Sequence, residues 1–489
     1  MLEQNPIAAA GGFARVTRQS VVFAVGSVAG KVVGLALLPV LTRLLTPAEF
    51  GRMDVLQSLG SALTVPLLLG LDVATLRLYF DQPDQTARRT LVGTSYAMVL
   101  GTTLLVGALV TVGSGAVSTA LFAGSQLQPA VVAVAVSVVG GAVQVITLTV
   151  LRAQGRAGTY AALLSATSFL YAILAVALLV VWRADANAVL VGYAASVIAA
   201  ALAGTFVVRQ EALGGPARRA GRALLRLGLP MVPAATAAVV ADFINRAILL
   251  DAAGAAAVAY FGIAVRFGSV AGLVAGSFRL SWVPRGYALG TSAEGRVRLA
   301  RDAHWIVAII CVSVTLIAVA SPEIVELAAG PQYVAALSPL AFYLVAVLFG
   351  TLGLVVSLPI AVGMAMQNLA IASLANSGVS LACNLILAAP MGATGTAIAI
   401  AAGGFAEVVI LAKLGTQWMP LPVDWVRLGG SVLIVGLAVV ALLASNVSLL
   451  GRIAVGSMVL VIIAWSVPSA GALRTLLAGI KHVIATWRG

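Results

Sequence analysis

Charge is the scarcest property of this sequence. Of 489 residues only 9% are Asp, Glu, Lys or Arg, whereas 61% are hydrophobic. The polar stretches are too short to build an independent soluble core, and a soluble domain cannot hide so much apolar surface. The composition therefore argues against a water-soluble enzyme and indicates a membrane protein with many spans.

Cysteine and histidine are almost missing as well. Cys311 and Cys383 stand singly inside apolar runs, and His304 and His482 lie far apart at the predicted membrane edges. This spacing predicts neither a disulfide framework nor a metal site, and we expect no cofactor. No enzyme motif or nucleotide-binding domain is recognisable. The sequence therefore predicts a protein that is not an enzyme, and transport by it would have to use an ion, potential or substrate gradient.

Long apolar runs make up the remainder of the chain. A transmembrane helix needs about 20 apolar residues, and about fourteen such runs follow one another. They cover approximately residues 20–42, 53–76, 91–113, 129–151, 160–182, 188–208, 227–250, 255–280, 303–320, 337–360, 369–389, 394–413, 427–446 and 452–468. The sequence thus predicts an all-α, polytopic fold with about 14 transmembrane helices.

Lysine and arginine concentrate on one side of these spans. With a cytoplasmic N-terminus, most of the 29 Lys and Arg residues fall in cytoplasmic segments or at their edges. The residues placed outside are Arg43, Arg52, Arg183 and Arg452. This is the positive-inside bias, and it predicts that both termini are cytoplasmic. The net charge of +13 then reflects topology and contact with anionic membrane lipids, and we expect no nucleic-acid partner.

A weak internal likeness divides the chain into two halves. Residues 76–79 read LRLY at the end of span 2, and residues 278–281 read FRLS at the end of span 8. Transporters often consist of two repeats with the site between them, although chance likeness between Ala- and Val-rich helices is the alternative. We predict a six-helix lobe (1–208), a basic cytoplasmic linker (209–226), a second six-helix lobe (227–413), and two extra helices with a basic tail (414–489).

Ionisable residues inside spans are the best indicators of a site, because each costs about 2.5–3.5 kcal/mol at a helix centre. Lys31, Arg246 and Arg266 are the cations placed there. One interpretation is an aqueous cavity between the lobes that attracts phosphate. The polar residues expected to accompany these cations in substrate binding are Asn245, Asn376 and Asn384.

A second interpretation needs no cavity. Asp242 precedes Arg246 by four residues and shares its helical face, so the two side chains can form a neutral pair. Lys31 can likewise contact a carbonyl or carboxylate elsewhere in the bundle. Glu407 is a candidate proton site, and with Asp242 it forms our hypothesis for ion coupling. Both interpretations remain open on the sequence alone.

Two short segments resemble bacterial polysaccharide flippases. Residues 41–51 read LTRLLTPAEFG, and residues 70–79 read GLDVATLRLY. They are similar to the first loop and the second-helix ending of the Wzx-like branch of the multidrug/oligosaccharidyl-lipid/polysaccharide exporter superfamily. In number and arrangement of helices the likeness extends over essentially the whole chain.

This resemblance implies two six-helix lobes around a central cavity in the bacterial inner membrane. It also implies flipping of an undecaprenyl-pyrophosphate-linked oligosaccharide to the outer leaflet by alternating access. Related lipid II flippases carry a basic residue in the first helix, where Lys31 stands here. Polysaccharide polymerases and glycosyltransferases are the protein partners that it suggests.

Three other functions compete with this expectation. An ion-coupled multidrug antiporter of the same superfamily should have an acidic cavity, whereas the mid-span charges here are mainly cationic. A membrane glycosyltransferase or polymerase usually needs a large extracytoplasmic loop, and none is visible in the sequence. A scaffold without transport activity is the third alternative.

Overall fold

Every regular element that the structure describes is helical. The computed structural model describes residues 30, 32–124, 126–182, 184–290, 292–363, 365–415, 419, 421–444 and 448–466, and these ranges contain no strand. The prediction of an all-α protein is confirmed.

Sixteen α-helices and two short 3-10 segments follow one another in the described residues. The helices are α1 (Val32–Leu44), α2 (Pro47–Leu67), α3 (Leu71–Phe80), α4 (Gln85–Val112), α5 (Ser114–Phe122), α6 (Gln128–Ala153), α7 (Ala157–Val181), α8 (Ala186–Val207), α9 (Arg209–Ala212), α10 (Arg218–Gly228), α11 (Val232–Leu289), α12 (Ala293–Ala329), α13 (Leu337–Val362), α14 (Met366–Gly415), α15 (Trp425–Ala444) and α16 (Leu449–Ser466). The 3-10 segments are Leu229–Met231 and Pro331–Ala336.

Most of these helices can span a membrane. Within the described residues, nine are long and apolar enough, and the bent pair α2–α3 raises the number to ten. Two more apolar helices, α1 and part of α16, are shorter. The protein is therefore a multi-pass membrane protein, as predicted.

Two of the long helices are interrupted by glycine. α11 breaks at Gly254, where φ is 81°, and α14 breaks at Gly392, where φ is 55°. Positive φ is accessible to glycine without steric penalty. Each of these helices therefore comprises two of the predicted spans, which brings the architecture into agreement with about fourteen.

The predicted second span differs from a single straight helix. α2 ends at Leu67, and α3 begins at Leu71 with an axis bent by 42°. Pro66 lies in the last turn of α2, and Leu69 and Gly70 take positive φ values of 52° and 67°. A left-handed conformation cannot continue an α-helix, so the span is broken at this point.

The chain forms two compact units. The first unit comprises Met1–Gly262, Glu326–Tyr333 and Ala388–Ala393. Its central helix is α6, which packs against α8, α4, α2 and α3. Small residues permit this close approach; Gly192 of α8, for example, lies directly against the backbone of Ala175 in α7.

The second unit comprises Ile263–Val325, Val334–Leu387 and Thr394–Gly489. Its core combines the second part of α11 with α12, α13, α15 and α16. Trp282 is among its largest buried side chains, and the indole N–H donates to the carbonyl oxygen of Leu354 at 3.2 Å. That hydrogen bond satisfies the one polar atom of a side chain that is otherwise apolar.

The basic segment 209–226 belongs to the first unit and packs against α3 and α4. It contains α9 and most of α10, and Ala217 donates its backbone N–H to Thr94 Oγ1 at 3.1 Å. The backbone of Gly214 lies against that of Arg89. The first unit itself continues through Gly262. The lobe boundaries given from the sequence stay predictions.

Candidate functional site

Arg246 in α11 forms the centre of a buried ionic cluster in the first unit. Its Nε donates to Asp54 Oδ2 in α2 at 2.8 Å, and its Nη1 donates to Asp242 Oδ1 one turn earlier in α11. Arg246 and Asp54 are both buried, whereas about half of the Asp242 side chain is exposed. The face of the Phe261 ring lies 5.3 Å from the guanidinium carbon and adds a cation–π contact.

Two carboxylates surround one guanidinium, so the formal charge of this cluster is −1. We expected Arg246 to attract an anion together with Asn245, which lies beside it and is buried. The structure instead places Arg246 between two carboxylates, and an additional anion would meet repulsion from them. The role of Arg246 and Asn245 in substrate binding stays a prediction.

Asp54 is the member of this cluster that the sequence analysis missed. It precedes Arg246 by 192 residues in the chain. An available signal was its position just inside the second predicted span, where an unpaired carboxylate would be costly.

Segment 46–51, the core of the first resemblance motif, fixes one end of α2. Thr46 caps the helix by accepting the N–H of Glu49 at 3.3 Å, and Pro47 occupies the first turn. The Glu49 carboxylate pairs with Arg52 and accepts the N–H of Ala186 at 3.0 Å. The motif thus joins the start of α2 to the start of α8.

The end of this motif needs both a large and a very small residue. Phe50 is fully buried and meets Tyr333 edge to face, with ring centroids 5.9 Å apart. A Cβ on Gly51 would lie 1.7 Å from the carbonyl oxygen of Ala255. Only glycine permits α2 to approach the start of the second part of α11 so closely.

A polar pocket of about 330 Å³ opens beside this motif. Its lining includes Glu49, Arg52, Asp185 and Asn187. Asp185 caps α8 by accepting the N–H of Ala188 at 3.1 Å, and Asn187 Oδ1 accepts the N–H of Ala130 at 3.0 Å. These bonds hold the starts of α6 and α8 together, so the motif and its pocket act structurally in this unit.

A second pocket in the first unit, of about 310 Å³, has a mainly apolar lining that includes six uncharged polar side chains and neither a carboxylate nor a basic group. The face of α2 that borders it carries Gln57, Ser61 and Thr64. These lie at helical spacing i, i+4 and i+7, so they point to one side. We call this space the neutral pocket.

Two amide side chains of the neutral pocket bind hydroxyl groups of α7. Gln144 of α6 donates to Thr167 Oγ1 at 2.8 Å, and Gln57 donates to the Tyr171 hydroxyl at 3.3 Å. Tyr193 of α8 completes the lining and meets Tyr171 edge to face at 5.3 Å. Amide and hydroxyl groups can both donate and accept, which suits a ligand rich in hydroxyl groups.

The predicted residues of α14 lie in the second unit, and two of them, Asn376 and Glu407, contact each other. Asn376 donates from Nδ2 to Glu407 Oε2 at 2.7 Å, and Thr396 donates to Asn384 Oδ1 at 2.8 Å. Both amides therefore face the part of α14 after Gly392. Asn384 is fully buried, whereas Asn376 and Glu407 are half-buried.

The two other predicted cations can be placed only in part. Arg266 is half-buried in the second part of α11 and belongs to the second unit. Lys31 lies outside the described residues. A cavity shared by these two side chains stays a prediction. Among the described residues, no group of three or more His, Cys, Asp or Glu side chains could hold a metal ion.

Comparison with known proteins identifies the family. The profile of the family described as "Polysaccharide biosynthesis protein" matches residues 16–285, more than half of the chain. The chain belongs to this family. The match includes both α2 and the neutral pocket. A search of the curated proteins with the same sequence found no significant match.

Solved structures of membrane transporters share the fold of this chain. The lipid II flippase MurJ in an inward closed conformation aligns over 91% of this chain and 98% of its own, with a TM-score of 0.71 at 13% identity. An outward-facing multidrug resistance MATE family transporter of the MOP superfamily aligns over 82% and 94%, with a TM-score of 0.56 at 16% identity.

A third structure of this fold is a MOP superfamily transporter from Pyrococcus furiosus, which is described as having a binding pocket of reverse polarity. It aligns over 82% of this chain and 95% of its own, with a TM-score of 0.52 at 15% identity. The fold of this chain is therefore the one that these membrane transporters have.

Proposed function

We propose that this protein flips an undecaprenyl-pyrophosphate-linked oligosaccharide from the inner to the outer leaflet of the bacterial inner membrane by alternating access. The observation that carries the proposal is the neutral pocket within the segment that matches the polysaccharide biosynthesis family. Its uncharged hydrogen-bonding groups suit a sugar, since hydroxyl groups of a glycan both donate and accept.

A transporter of this kind must carry a polar sugar through the hydrocarbon core, and this requirement supports the assignment. The polyprenyl tail can stay in the bilayer, whereas the sugar needs a polar surface at every depth because unsatisfied polar groups in hydrocarbon are costly. The α2 face with Gln57, Ser61 and Thr64 supplies such a surface inside the bent pair α2–α3, which together is long and apolar enough for one span. The pyrophosphate needs a cation, a role that we assign to Lys31 and Arg266.

The orientation of the protein is part of the proposal. The Lys and Arg distribution favours cytoplasmic termini and a cytoplasmic α10. Reporter fusions at Arg226 and at the C-terminus should both report cytoplasm. An external signal from either fusion would overturn this orientation.

An ion-coupled antiporter is a second candidate, and one observation favours it. The Arg246 cluster has a formal charge of −1, and the exposed side of the Asp242 carboxylate could attract a cation. On this alternative the protein would export cationic drugs in exchange for protons or sodium ions.

A deletion strain separates the two functions. Flipping predicts that the strain loses its surface polysaccharide, accumulates lipid-linked oligosaccharide in the inner leaflet, and keeps its resistance to cationic drugs. Restoration by the wild-type gene is expected, and Gln57→Leu should restore less than the matched variant Gln154→Leu, because Gln154 binds Glu211 away from the neutral pocket. Increased drug sensitivity with normal polysaccharide would favour the antiporter.

A further inference from the structure

The helix α10 carries an unusually concentrated positive charge. Its sequence is RRAGRALLRLG, with Arg218, Arg219, Arg222 and Arg226 and no acidic residue. At 3.6 residues per turn, the four arginines fall within an arc of about 100°. All four are exposed, and none of them makes an ion pair within the part of the chain that the structure describes.

The other side of α10 is fixed to the first unit. Leu224 is fully buried in the core that α3, α4 and α6 share. The backbone of Gly228 lies against that of Leu69 and Gly70, between α2 and α3. The arginine row therefore has a fixed direction, pointing away from the helices against which α10 packs.

The length of α8 places the start of α10 at the membrane boundary. α8 begins beside the start of α2, because Glu49 accepts the N–H of Ala186. It has 22 residues, which at 1.5 Å per residue is about 33 Å. That length matches a hydrocarbon core of about 30 Å. The chain that follows α8 packs on the first turns of α4, where Gly214 lies against Arg89 and Ala217 binds Thr94, so α10 begins in the headgroup layer.

A cleft of about 500 Å³ runs along one side of α10, between it and the helices α3 and α4. Six of its eleven lining residues are apolar, with Leu78, Leu91, Ala220 and Ala223 among them. Arg219 also lines it, together with Gln82, Thr86, Thr90 and Asp84, whose carboxylate caps α4 by accepting the N–H of Ala87. On the helix, Ala223 and then the partly exposed Leu227 continue this apolar side away from the arginines. The site thus offers guanidinium groups beside an apolar groove at headgroup depth.

We propose that this cleft binds an anionic phospholipid, with its phosphate on the arginines of α10 and the upper part of an acyl chain against Ala220 and Ala223. Guanidinium groups bind phosphate through paired, charge-assisted hydrogen bonds. Basic residues near a membrane surface attract anionic lipids, and the apolar wall distinguishes a lipid from free phosphate. The bound lipid would cover a charged face that has no protein partner in the described chain.

The test is native mass spectrometry of the purified full chain, titrated with dioleoyl phosphatidylglycerol or dioleoyl phosphatidylcholine. The wild type should bind phosphatidylglycerol preferentially. Replacing the four arginines of α10 by Gln should weaken phosphatidylglycerol binding by roughly tenfold or more and abolish the preference.

A matched control removes the same number of charges elsewhere. The four exposed arginines Arg77, Arg285, Arg298 and Arg427 each pair with a carboxylate. Replacing them together by Gln should leave the preference for phosphatidylglycerol intact. An equal loss in this control would show a response to net charge alone and would overturn the proposed site.

A second variant tests the cleft without changing charge. Ala223→Trp introduces a bulky side chain at an exposed position of the cleft wall, and it should reduce phosphatidylglycerol binding several-fold at an unchanged melting temperature. Full binding by Ala223→Trp, or displacement of phosphatidylglycerol by an equal concentration of inorganic phosphate, would contradict a lipid cleft. No transport is measured, so this outcome and that of the flippase proposal are independent.

Discussion

Arg246 in α11 donates from Nε to Oδ2 of Asp54 in α2 at 2.8 Å, and this buried ion pair joins two helices that are distant in sequence. Asp242 binds the same guanidinium from the preceding turn of α11. The cluster fixes a span of the first unit to α2, the helix that also carries the resemblance motif and one wall of the neutral pocket.

Removal of one partner from this pair should be strongly destabilising. Asp54→Ala leaves the guanidinium held by Asp242 alone, and we expect a loss of about 3–5 kcal/mol, the range for a broken buried pair. The double variant Asp54→Leu with Arg246→Met should recover most of that loss, because it leaves no buried charge of the pair. The measurement is the free energy of unfolding in detergent micelles.

The exposed ion pair Arg77–Asp81 provides the control for the Asp54 variants. Its members lie 2.7 Å apart with about half or more of each side chain exposed. Asp81→Ala should cost less than about 1 kcal/mol. A similar cost for Asp54→Ala would mean that the Arg246 cluster contributes little to stability.

Gly51 should tolerate no side chain. A Cβ there would lie 1.7 Å from the carbonyl oxygen of Ala255, whereas a Cβ on Gly101 of α4 would meet no atom within 4 Å. Gly51→Ala should therefore lower stability by about 1–3 kcal/mol or more through overpacking. Gly101→Ala should be neutral or stabilising by up to about 1 kcal/mol. Thermal unfolding of both variants checks this, and equal melting temperatures would contradict the close approach.

The positions of the helices could be predicted from the sequence, because a transmembrane helix requires a hydrophobic run of about 20 residues. The gap between the predicted spans 369–389 and 394–413 is where α14 breaks, at Gly392. The bend after Leu67 was missed, because a hydropathy pattern does not register two residues with positive φ inside an apolar run.

Side-chain partners were harder to predict than helices. The Asp242–Arg246 contact follows from spacing i, i+4 within one helix, and the sequence analysis considered it. Asp54 was missed because its contact with Arg246 depends on how α2 and α11 pack against each other. The order of residues within one helix does not predict that packing. For the same reason Thr46 and Glu49 indicated a family, whereas their actual contacts at the start of α2 and α8 required the structure.

Lys31 and Arg266 should be needed for export. We expect Lys31→Ala or Arg266→Ala to weaken binding of the pyrophosphate by about 1–3 kcal/mol, the scale of a charge-assisted hydrogen bond. Lys31→Arg should retain more activity than Lys31→Ala, since it keeps the charge. The readout is surface polysaccharide in a deletion strain at matched membrane levels. Normal polysaccharide from both Ala variants would remove these residues from the mechanism.

Glu407 is the proposed proton site of the second unit, where its carboxylate accepts a hydrogen bond from Asn376 at 2.7 Å. Glu407→Gln keeps the size of the side chain and removes its charge, so it should abolish the response of transport to a proton gradient. Glu294→Gln, at an exposed position near the start of α12, is the matched control and should behave as wild type. Transport by Glu407→Gln that still follows the proton gradient would exclude this role.

The most direct test of the central claim is the sidedness of a lipid-linked oligosaccharide in vesicles that contain only the purified protein. A fluorescent sugar on a polyprenyl pyrophosphate is incorporated, and a membrane-impermeant reagent measures the fraction in the outer leaflet over time. We predict that label moves between leaflets with wild-type protein, more slowly with Gln57→Leu, and not at all in protein-free vesicles. Equal rates with and without protein, under an imposed proton gradient as well as without one, would contradict the flippase account.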